Sequence, residues 1–448
     1  MLLLILNYCV QTLYLKHMLN IYSSKILKNF LSLSAGQALT KIISLISVPI
    51  IARQLGATNF GTYTLAFSFV LIFSGFSDLG IHQLTIREGS KNKEENNSLF
   101  SNALVIRLIL AIFFFVIAIG TVYWLDYPNA TKQLILILSI LIVTNALVNT
   151  IVSVLHAQEK MSYSASLLFI QSILTPLTII PLLYLDISLK NAFAALIIVN
   201  LVFTIVIERY FFRKITSFSY QLINLRIWHQ ILKDSWPYAL MAASWVIYIN
   251  NGSIVLSKIT DISNVGIYNA GQVLIVSLFF IPGSLMMALY PAFSRSVVKS
   301  GKKELKKIAE MILKILLMVI LPAAILIFLF SNSVVHVLYG SNFTDTAIVL
   351  RWLSLALVMH FINSPLGYII LSTEKIKKYV LFDILILVVN LSLGIYMSIN
   401  YGLIGPAIAI FCSECLTFII RLLFIKKNLH FGISIKSILN LRLLNQNG

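Results

Sequence analysis

A stripe of polar residues that includes a lysine lies within the first long apolar stretch of the chain. Gln37, Thr40, Lys41, Ser44 and Ser47 recur at helical spacing in an otherwise apolar segment. A charged side chain at the centre of a membrane-spanning helix costs about 2.5–3.5 kcal/mol, so the lysine should face protein or water. The stripe predicts the wall of a hydrated cavity, whose chemistry would be binding. Packing between helices is the alternative for the hydroxyl-bearing members.

Other ionisable residues lie within apolar stretches farther along the chain. Arg107 and Asp383 lie near the ends of their stretches, where snorkelling to the membrane surface is an alternative to a functional role. Glu414 lies in the middle of the last stretch, where snorkelling does not explain it, and Arg421 follows two turns later, too far along the helix for a simple pair. Tyr248 and Asn251 belong to a second, milder polar stripe that predicts a further part of the cavity wall.

The segment FSDLGIHQLTIRE, residues 76–88, places a carboxylate within the second apolar stretch. Asp78 and Arg87 are nine residues apart, which is too far along one helix for direct pairing. We expect Asp78 to act in gating through a basic residue of a neighbouring span such as Arg107. Helix capping or a role in topology is the alternative.

Composition identifies the surroundings of these residues as a membrane. Apolar residues make up 59% of the 448 residues and charged residues 11%, whereas soluble domains have roughly 45–50% and about 25%. The net charge is +18, and the basic residues lie in short loops between apolar stretches. That arrangement indicates a membrane protein with basic cytoplasmic loops and disfavours nucleic-acid binding.

The predicted fold is an all-α integral membrane protein with about twelve spans. A span needs roughly 20 residues, and in lipid the backbone groups must be satisfied within the helix. The predicted spans are residues 30–52, 62–85, 101–125, 133–155, 163–184, 190–211, 235–257, 267–290, 308–330, 347–371, 380–400 and 403–425.

The loops predict the orientation of the chain. About 25 Lys and Arg residues lie on one side and about five on the other, which places both termini in the cytoplasm. The predicted organisation is a cytoplasmic N-terminal segment 1–29, an N-lobe 30–211, an amphipathic cytoplasmic linker 212–234, a C-lobe 235–425 and a basic cytoplasmic tail 426–448. Residues 1–17 read as a signal-like segment or as an extension upstream of a start at Met18, and both readings stay open.

An internal repeat relates the two lobes. RQLGATNFGTY at 53–63 and KITDISNVGIY at 258–268 share a basic first residue, a hydroxyl residue, Asn, Gly and Tyr at a constant offset of 205 residues. Each copy follows the first span of a six-span half, which predicts two six-helix lobes related by a pseudo-two-fold axis along the membrane normal. This architecture is suited to alternating access around a central cavity and needs no chemical step.

Sequence signatures of enzymes are missing from the chain. It contains no GxxxxGK[ST], HExxH or DxD motif and no long outer loop. Cys412 and Cys415 form a lone CxxC inside an apolar run, which indicates packing rather than a metal or redox centre. We therefore expect a transporter without a cofactor or metal. Its energy source, an H+ or Na+ gradient or the substrate gradient, stays open.

Three blocks of sequence resemble a known family. They are SAGQALTKIISLISVPIIARQLGATNFGTYTLAFSF, FSDLGIHQLTIRE with LFSNALVIRLIL, and VGIYNAGQVL with LYPAFSR. Together they are similar to polysaccharide-biosynthesis or O-antigen flippases of the Wzx type. That family belongs to the superfamily of multidrug, oligosaccharidyl-lipid and polysaccharide exporters, and the likeness extends from about Ser32 to Lys427.

The resemblance implies a cationic cavity that moves undecaprenyl-diphosphate-linked oligosaccharide across the bacterial cytoplasmic membrane. Lys41 and Arg107 are then expected to attract the diphosphate, with Gln37, Ser44, Tyr248 and Asn251 also in the translocation path. The positions expected to act in gating or coupling are Arg53, Asp78, Arg87, Lys258, Asp383 and Glu414. Many relatives carry an aspartate shortly before Lys258, but NNGSIVLSK has no acid there. Expected partners are membrane lipid, a polysaccharide polymerase and chain-length proteins.

Three other functions stay open at this point. A multidrug antiporter of the same fold would have an acidic cavity for organic cations. A membrane polymerase or ligase would need longer outer loops than this chain has. A lipid II flippase usually has more than twelve spans.

Overall fold

The structure, a computed structural model, describes residues 24–90, 96–214, 218–286, 301–371 and 376–429. The predicted N-terminal segment up to residue 23 and the tail from residue 430 onward lie outside these ranges, as does the LYPAFSR motif. In the described part of the chain all regular secondary structure is helical. The all-α expectation is confirmed.

Besides a helical segment at residues 280–286, the described chain contains fourteen α-helices. They are α1 Ser24–Asp78, α2 Ile81–Gly89, α3 Asn96–Trp124, α4 Asn129–Ser139, α5 Leu141–Ala157, α6 Met161–Tyr184, α7 Leu189–Lys214, α8 Leu225–Ile259, α9 Ile262–Val276, α10 Gly301–Leu329, α11 Ser331–Tyr339, α12 Thr346–Leu371, α13 Ile376–Tyr401 and α14 Gly405–Leu429. After α9 a turn at 277–279 leads into the helical segment 280–286, and together they form one membrane pass, Ile262–Met286.

These helices supply the expected number of membrane passes. Ten stretches of the described residues are long and apolar enough to span a membrane. The first is divided by a kink within α1, and the last contains both α13 and α14. Twelve passes result, six before and six after the segment that joins α7 to α8.

The kink in α1 is at Gly56, where φ is 68°. With ψ at 171°, this conformation is accessible to glycine and costs other residues about 1–3 kcal/mol. The chain therefore turns from the first pass into the second without a separate loop. The repeat segment 53–63 lies at this turn.

The second pass ends earlier than predicted. The prediction extended it to residue 85, but α1 ends at Asp78 because Leu79 (φ 40°) and Gly80 (φ 71°) are both left-handed. The chain then enters the separate helix α2. Asp78 is thus a helix-terminal residue next to a turn, and not an interruption within a longer span.

The segment between the halves is partly helical. Residues 212–234 were expected to form an amphipathic linker, but α7 extends to Lys214 and α8 begins at Leu225. Asn224 caps α8 by accepting a hydrogen bond from the backbone N–H of Arg226. From this cap α8 continues without a break into the following apolar run. One continuous helix satisfies the backbone hydrogen-bonding groups between the cap and the membrane pass.

Both halves contribute to one apolar core. Buried aromatic residues of the first half, such as Phe60, pack on the second half, where Phe343 meets it at a ring separation of 5.9 Å. The two copies of the repeat lie within this shared core. Their contacts agree with the predicted pseudo-two-fold axis, and the symmetry of the complete lobes stays a prediction.

Candidate functional site

A cavity of about 340 Å³ lies between the first arm of α1 and α6, with Phe280 of the second half at its edge. Its polar lining comes from Gln37, Thr40, Lys41, Gln171 and Ser172, and no carboxylate is among the lining residues. The other lining residues are Leu33, Gly36, Ala165, Leu168 and Phe280. Four of the polar lining residues can donate or accept hydrogen bonds without a net charge, which suits a hydroxylated ligand.

Lys41 is half-buried on the wall of this cavity. No hydrogen bond or ion pair links it to any residue that the structure describes. A half-buried ammonium without a partner is costly within a membrane unless water or a ligand reaches it. Its position can therefore attract an anion.

Small residues determine how closely the two walls approach. A Cβ atom at Gly36 would lie 2.8 Å from Cβ of Ala165, so α1 and α6 pack closely beside the cavity. Gln37 bridges the halves, because its Oε1 accepts a hydrogen bond of 3.4 Å from Ser284. Ser44 is half-buried on the same helix but does not line the cavity.

Arg107, in α3, lies away from this cavity, next to the end of α1 that carries Asp78. Its guanidinium forms an ion pair with Asp78 and also donates to Thr150 Oγ1 at 3.1 Å and Ser153 Oγ at 3.0 Å. The side chain is only 1% exposed. Because its two terminal nitrogens contact these groups and it does not line the Lys41 cavity, a shared anion site with Lys41 is not formed in this structure.

A separate polar network crosses the second half around Glu414. Its Oε1 accepts from His360 Nδ1 at 3.1 Å and from Tyr248 at 3.4 Å, and its Oε2 accepts from Asn363 at 2.6 Å. Asn251 donates to Asn390 at 2.9 Å beside it. Tyr248 and Asn251 therefore belong to this network and not to the Lys41 cavity.

Asn363 connects this carboxylate to a buried arginine. Its backbone carbonyl accepts from Arg421 at 2.5 Å, and Arg421 also donates to Tyr379 at 2.6 Å. Asp383 lies next to Tyr379 and Arg421. Glu414 and Arg421 are thus joined through a third residue, as their separation along α14 requires.

Sequence reasoning missed His360, Asn363 and Tyr379. A histidine in the middle of an apolar span was a usable signal, because such residues are costly in lipid and mark functional sites. Glu414, the partner of His360 and Asn363, is 54 and 51 residues away from them along the chain. No local sequence pattern indicates a contact over such a separation. In the described residues no group of three or more His, Cys, Asp or Glu could hold a metal ion.

The basic residues of the repeat contact backbone carbonyls of the opposite half. Arg53 donates to the carbonyl of Leu338 at 2.8 Å and to that of Val337, both in the last turn of α11. Lys258 donates to the carbonyl of Leu125, just beyond α3, and lies 3.8 Å above the ring of Tyr127.

At the other end of the bundle Arg87 donates to Glu88 at 2.7 Å and to Tyr238 of the second half at 3.4 Å. The hydrogen bond with Glu88 raises the pKa of the Arg87 guanidinium. This contact is on the surface, since the Arg87 side chain is 46% exposed. It joins α2 to α8.

Comparison with known protein families identifies the chain. The family described as "Polysaccharide biosynthesis protein" matches residues 26–297, which is more than half of the chain. The chain belongs to this family. The resemblance expected from its sequence blocks is thereby confirmed.

Two relatives of this member of the polysaccharide biosynthesis protein family match nearly their whole length. The Escherichia coli protein named "Putative O-antigen transporter" is 23% identical over 90% of this chain and 97% of its own. A Shigella flexneri protein of the same name is 25% identical over 86% of this chain and 94% of its own. These names support a transporter rather than an enzyme.

Solved structures show the same fold. The lipid II flippase MurJ in an inward closed conformation aligns with a TM-score of 0.76 at 15% identity, covering 91% of this chain and 89% of MurJ. An outward-facing multidrug MATE transporter of the MOP superfamily aligns with a TM-score of 0.60 at 18% identity, covering 90% and 96%. The fold of this chain is that of the MOP superfamily.

Proposed function

We propose that this protein is a flippase that moves a lipid-linked oligosaccharide, carried on undecaprenyl diphosphate, across the bacterial cytoplasmic membrane. The observation that carries the proposal is the ammonium of Lys41, which has no partner among the described residues and lies on a cavity whose described lining contains no carboxylate. The names of the two full-length relatives support the same substrate class.

The cavity chemistry suits the two polar parts of such a substrate. A diphosphate carries negative charge that an ammonium attracts, and a charge-assisted hydrogen bond contributes about 1.5–3 kcal/mol. The amides and hydroxyls of Gln37, Gln171 and Ser172 can exchange hydrogen bonds with sugar hydroxyls. The prenyl tail would stay in the lipid, where it needs no protein cavity. Alternating access between the two halves would then carry only the polar part across.

The same lining separates this proposal from the alternatives. An antiporter for organic cations needs negative charge in its cavity, and this cavity holds a lysine and no acid. A polymerase or ligase needs catalytic groups beside the substrate, and the lining offers only neutral amides and hydroxyls besides the lysine. The MurJ likeness supports lipid-linked substrates in general but shows only the fold.

Substitution of Lys41 tests the proposal in a strain that depends on this gene for surface polysaccharide. Lys41→Ala and Lys41→Glu are expected to lower surface polysaccharide at least about ten-fold, the effect of losing roughly 1.4 kcal/mol. Lipid-linked repeat units should accumulate, and Lys41→Arg should retain most activity because it keeps the charge. Lys190→Ala, at an exposed lysine, is the control. Normal polysaccharide in Lys41→Glu at normal protein level would refute the assignment.

We also propose that Glu414 couples transport to a cation, H+ or Na+. The support is a carboxylate buried among helices beside His360, next to Asn363, whose Oδ1 is buried without a hydrogen-bond partner among the described residues. Intramembrane carboxylate–histidine pairs are typical of ion pathways.

Transport by Glu414→Gln should no longer respond to an imposed gradient, whereas Asn400→Ala, an exposed site, should respond normally. Imposing the proton and sodium gradients separately distinguishes the two ions. An unchanged response of Glu414→Gln to both gradients would exclude this role.

The location of the protein and its topology are part of the proposal. We infer a multi-pass protein of the bacterial cytoplasmic membrane with both termini in the cytoplasm, supported by the excess of basic residues in one set of loops. Fusion of a reporter active only outside the cytoplasm to the C-terminus should give no signal. Partners would be the lipid carrier, a polymerase and chain-length proteins.

A further inference from the structure

The two copies of the repeat contact each other in a reciprocal manner. Gly61 lies against the backbone carbonyl of Ile262, and Gly266 lies against the backbone carbonyl of Ala57. Gly266 is 205 residues after Gly61, and Ile262 is 205 residues after Ala57. Each half therefore presents the same surface to the other, as in a two-fold interface. We call these four residues the repeat interface.

The approach at the repeat interface is possible only for glycine. A Cβ atom on either Gly61 or Gly266 would overlap the facing carbonyl oxygen. Neither glycine has a positive φ, so backbone conformation is not the reason for glycine here. The requirement is the close approach itself, and it concerns backbone atoms that cannot rotate away as a flexible side chain could.

Two basic side chains reinforce the repeat interface from its flanks. Arg53 crosses to the last turn of α11, and Lys258 crosses to the carbonyl of Leu125. Carbonyls at a helix C-terminus carry partial negative charge, which a cation stabilises by about 0.3–1 kcal/mol. The repeat thus supplies both a contact surface and a basic residue in each half, and each basic residue reaches the other half.

A polar seam lies behind this contact. Ser68, two turns beyond Gly61 on α1, donates to Ser253 of α8 at 3.0 Å, and Ser253 donates to Asn269 of α9 at 3.1 Å. All three residues are buried, with Ser68 only 4% exposed. Polar side chains that join the halves here are hidden from the repeat end of the bundle as long as the repeat interface is closed.

We propose that the repeat interface is a gate that closes one end of the translocation path. Gly61 and Gly266 allow it to close, and Arg53 and Lys258 hold it closed. In the other state of the cycle the halves separate here and the serine seam becomes accessible. The gate rests on the proposed alternating access, but it makes a prediction that does not depend on the identity of the substrate.

Cysteine labelling tests the gate without any transport measurement. A background with serine at positions 9, 412 and 415 carries Ser68→Cys as the reporter. Labelling by a membrane-impermeant thiol reagent is measured in right-side-out and inverted membrane vesicles. Thr58→Cys, at an exposed residue of the repeat, identifies the orientation that presents the repeat end.

Gly61→Ala and Gly266→Ala should each raise the labelling rate of the reporter roughly ten-fold, because overpacking disfavours the closed state. The increase should occur only in the vesicle orientation that presents the repeat end. Gly120→Ala is the matched control, since a Cβ at Gly120 meets no atom within 4 Å. Unchanged labelling in both glycine variants would overturn the proposal, and so would equal increases in all three variants.

Removal of the basic groups provides a second test that adds no atoms to the interface. Arg53→Gln together with Lys258→Gln should also raise the labelling rate, and Lys190→Ala should not. An unchanged labelling rate in the double variant would show that Arg53 and Lys258 do not hold the gate closed. If labelling rises as expected while Lys41→Glu still exports polysaccharide, the gate is supported and the proposed substrate site is refuted, so the two failures are distinguishable.

Discussion

Asp78 and Arg107 form an ion pair that joins the end of α1 to the middle of α3. The arginine is 1% exposed and the aspartate 22%, and two hydroxyls of α5 accept further hydrogen bonds from the arginine. The pair explains why a carboxylate lies at the end of the apolar helix α1. It compensates a cation that α3 carries into the protein interior.

Loss of either partner should therefore have unequal effects. Arg107→Gln leaves Asp78 without its cation, and breaking such a pair costs about 3–5 kcal/mol. Asp78→Asn should cost at least as much, because it leaves the more deeply buried arginine uncompensated. The double variant should be less destabilised than the sum of the single variants, as thermal unfolding in detergent can measure. Strict additivity would show that the two groups do not interact.

The glycines at the turns of the chain should form a graded series. Gly80 has φ 71°, and a Cβ atom there would overlap the backbone of Ser235 and Ala239. Gly56 has φ 68°, and a Cβ atom there would meet no atom within 4 Å. Gly56→Ala should cost about 1–3 kcal/mol through conformation alone. Gly80→Ala should cost clearly more, whereas Gly120→Ala, within helix α3, should cost nothing and can raise the stability slightly. Unfolding temperatures in a different order would contradict this account.

Asn102 fixes the segment between the halves to α3. It donates to the carbonyls of Ser98 and Leu222, and its Oδ1 accepts from the backbone of Asn224 and from Trp228 Nε1 at 2.8 Å. Asn102→Ala leaves several of these groups unpaired, at about 1–3 kcal/mol for each buried group. Limited proteolysis between residues 218 and 224 should become faster, with Asn400→Ala as the unaffected control. Equal cleavage rates would argue against this anchor.

His360 should matter for the integrity of the second half as well as for coupling. Its ring stacks on Phe279 at 3.9 Å while Nδ1 contacts Glu414. His360→Leu keeps the apolar contact and removes the hydrogen bond, so the carboxylate loses one partner. We expect a lower unfolding temperature that Glu414→Gln partly restores, because a neutral amide needs less compensation. A double variant no more stable than His360→Leu would contradict this coupling.

Much of the architecture could be predicted from local sequence. Apolar runs of about 20 residues predict the twelve passes, since lipid imposes a length and a helical conformation on each of them. The repeat predicted that Gly61 and Gly266 occupy equivalent positions. It could not predict that they contact each other, because the spacing of residues along one chain does not fix the distance between two halves.

The candidate site was predicted less well, for a related reason. Lys41 was found because its cost in lipid is a property of one helix. The contact between Asp78 and Arg107 was expected and is present, although its role in gating stays a prediction. The partner of Glu414, His360, is 54 residues away and was not predicted, because only the packed bundle decides which of these groups meet. The end of α1 at Asp78 was not predicted, because the left-handed turn there begins at Leu79. A leucine in sequence gives no indication of a positive φ, whereas a glycine does.

The equivalence of the facing surfaces at Gly61 and Gly266 has a consequence for how such a molecule can be assembled. A surface that fits its own counterpart is what a symmetric homodimer requires. Each six-helix half already carries both elements of that fit, the glycine and the carbonyl that faces it. At the repeat interface the single polypeptide therefore has the contact geometry of a dimer whose two subunits are covalently joined.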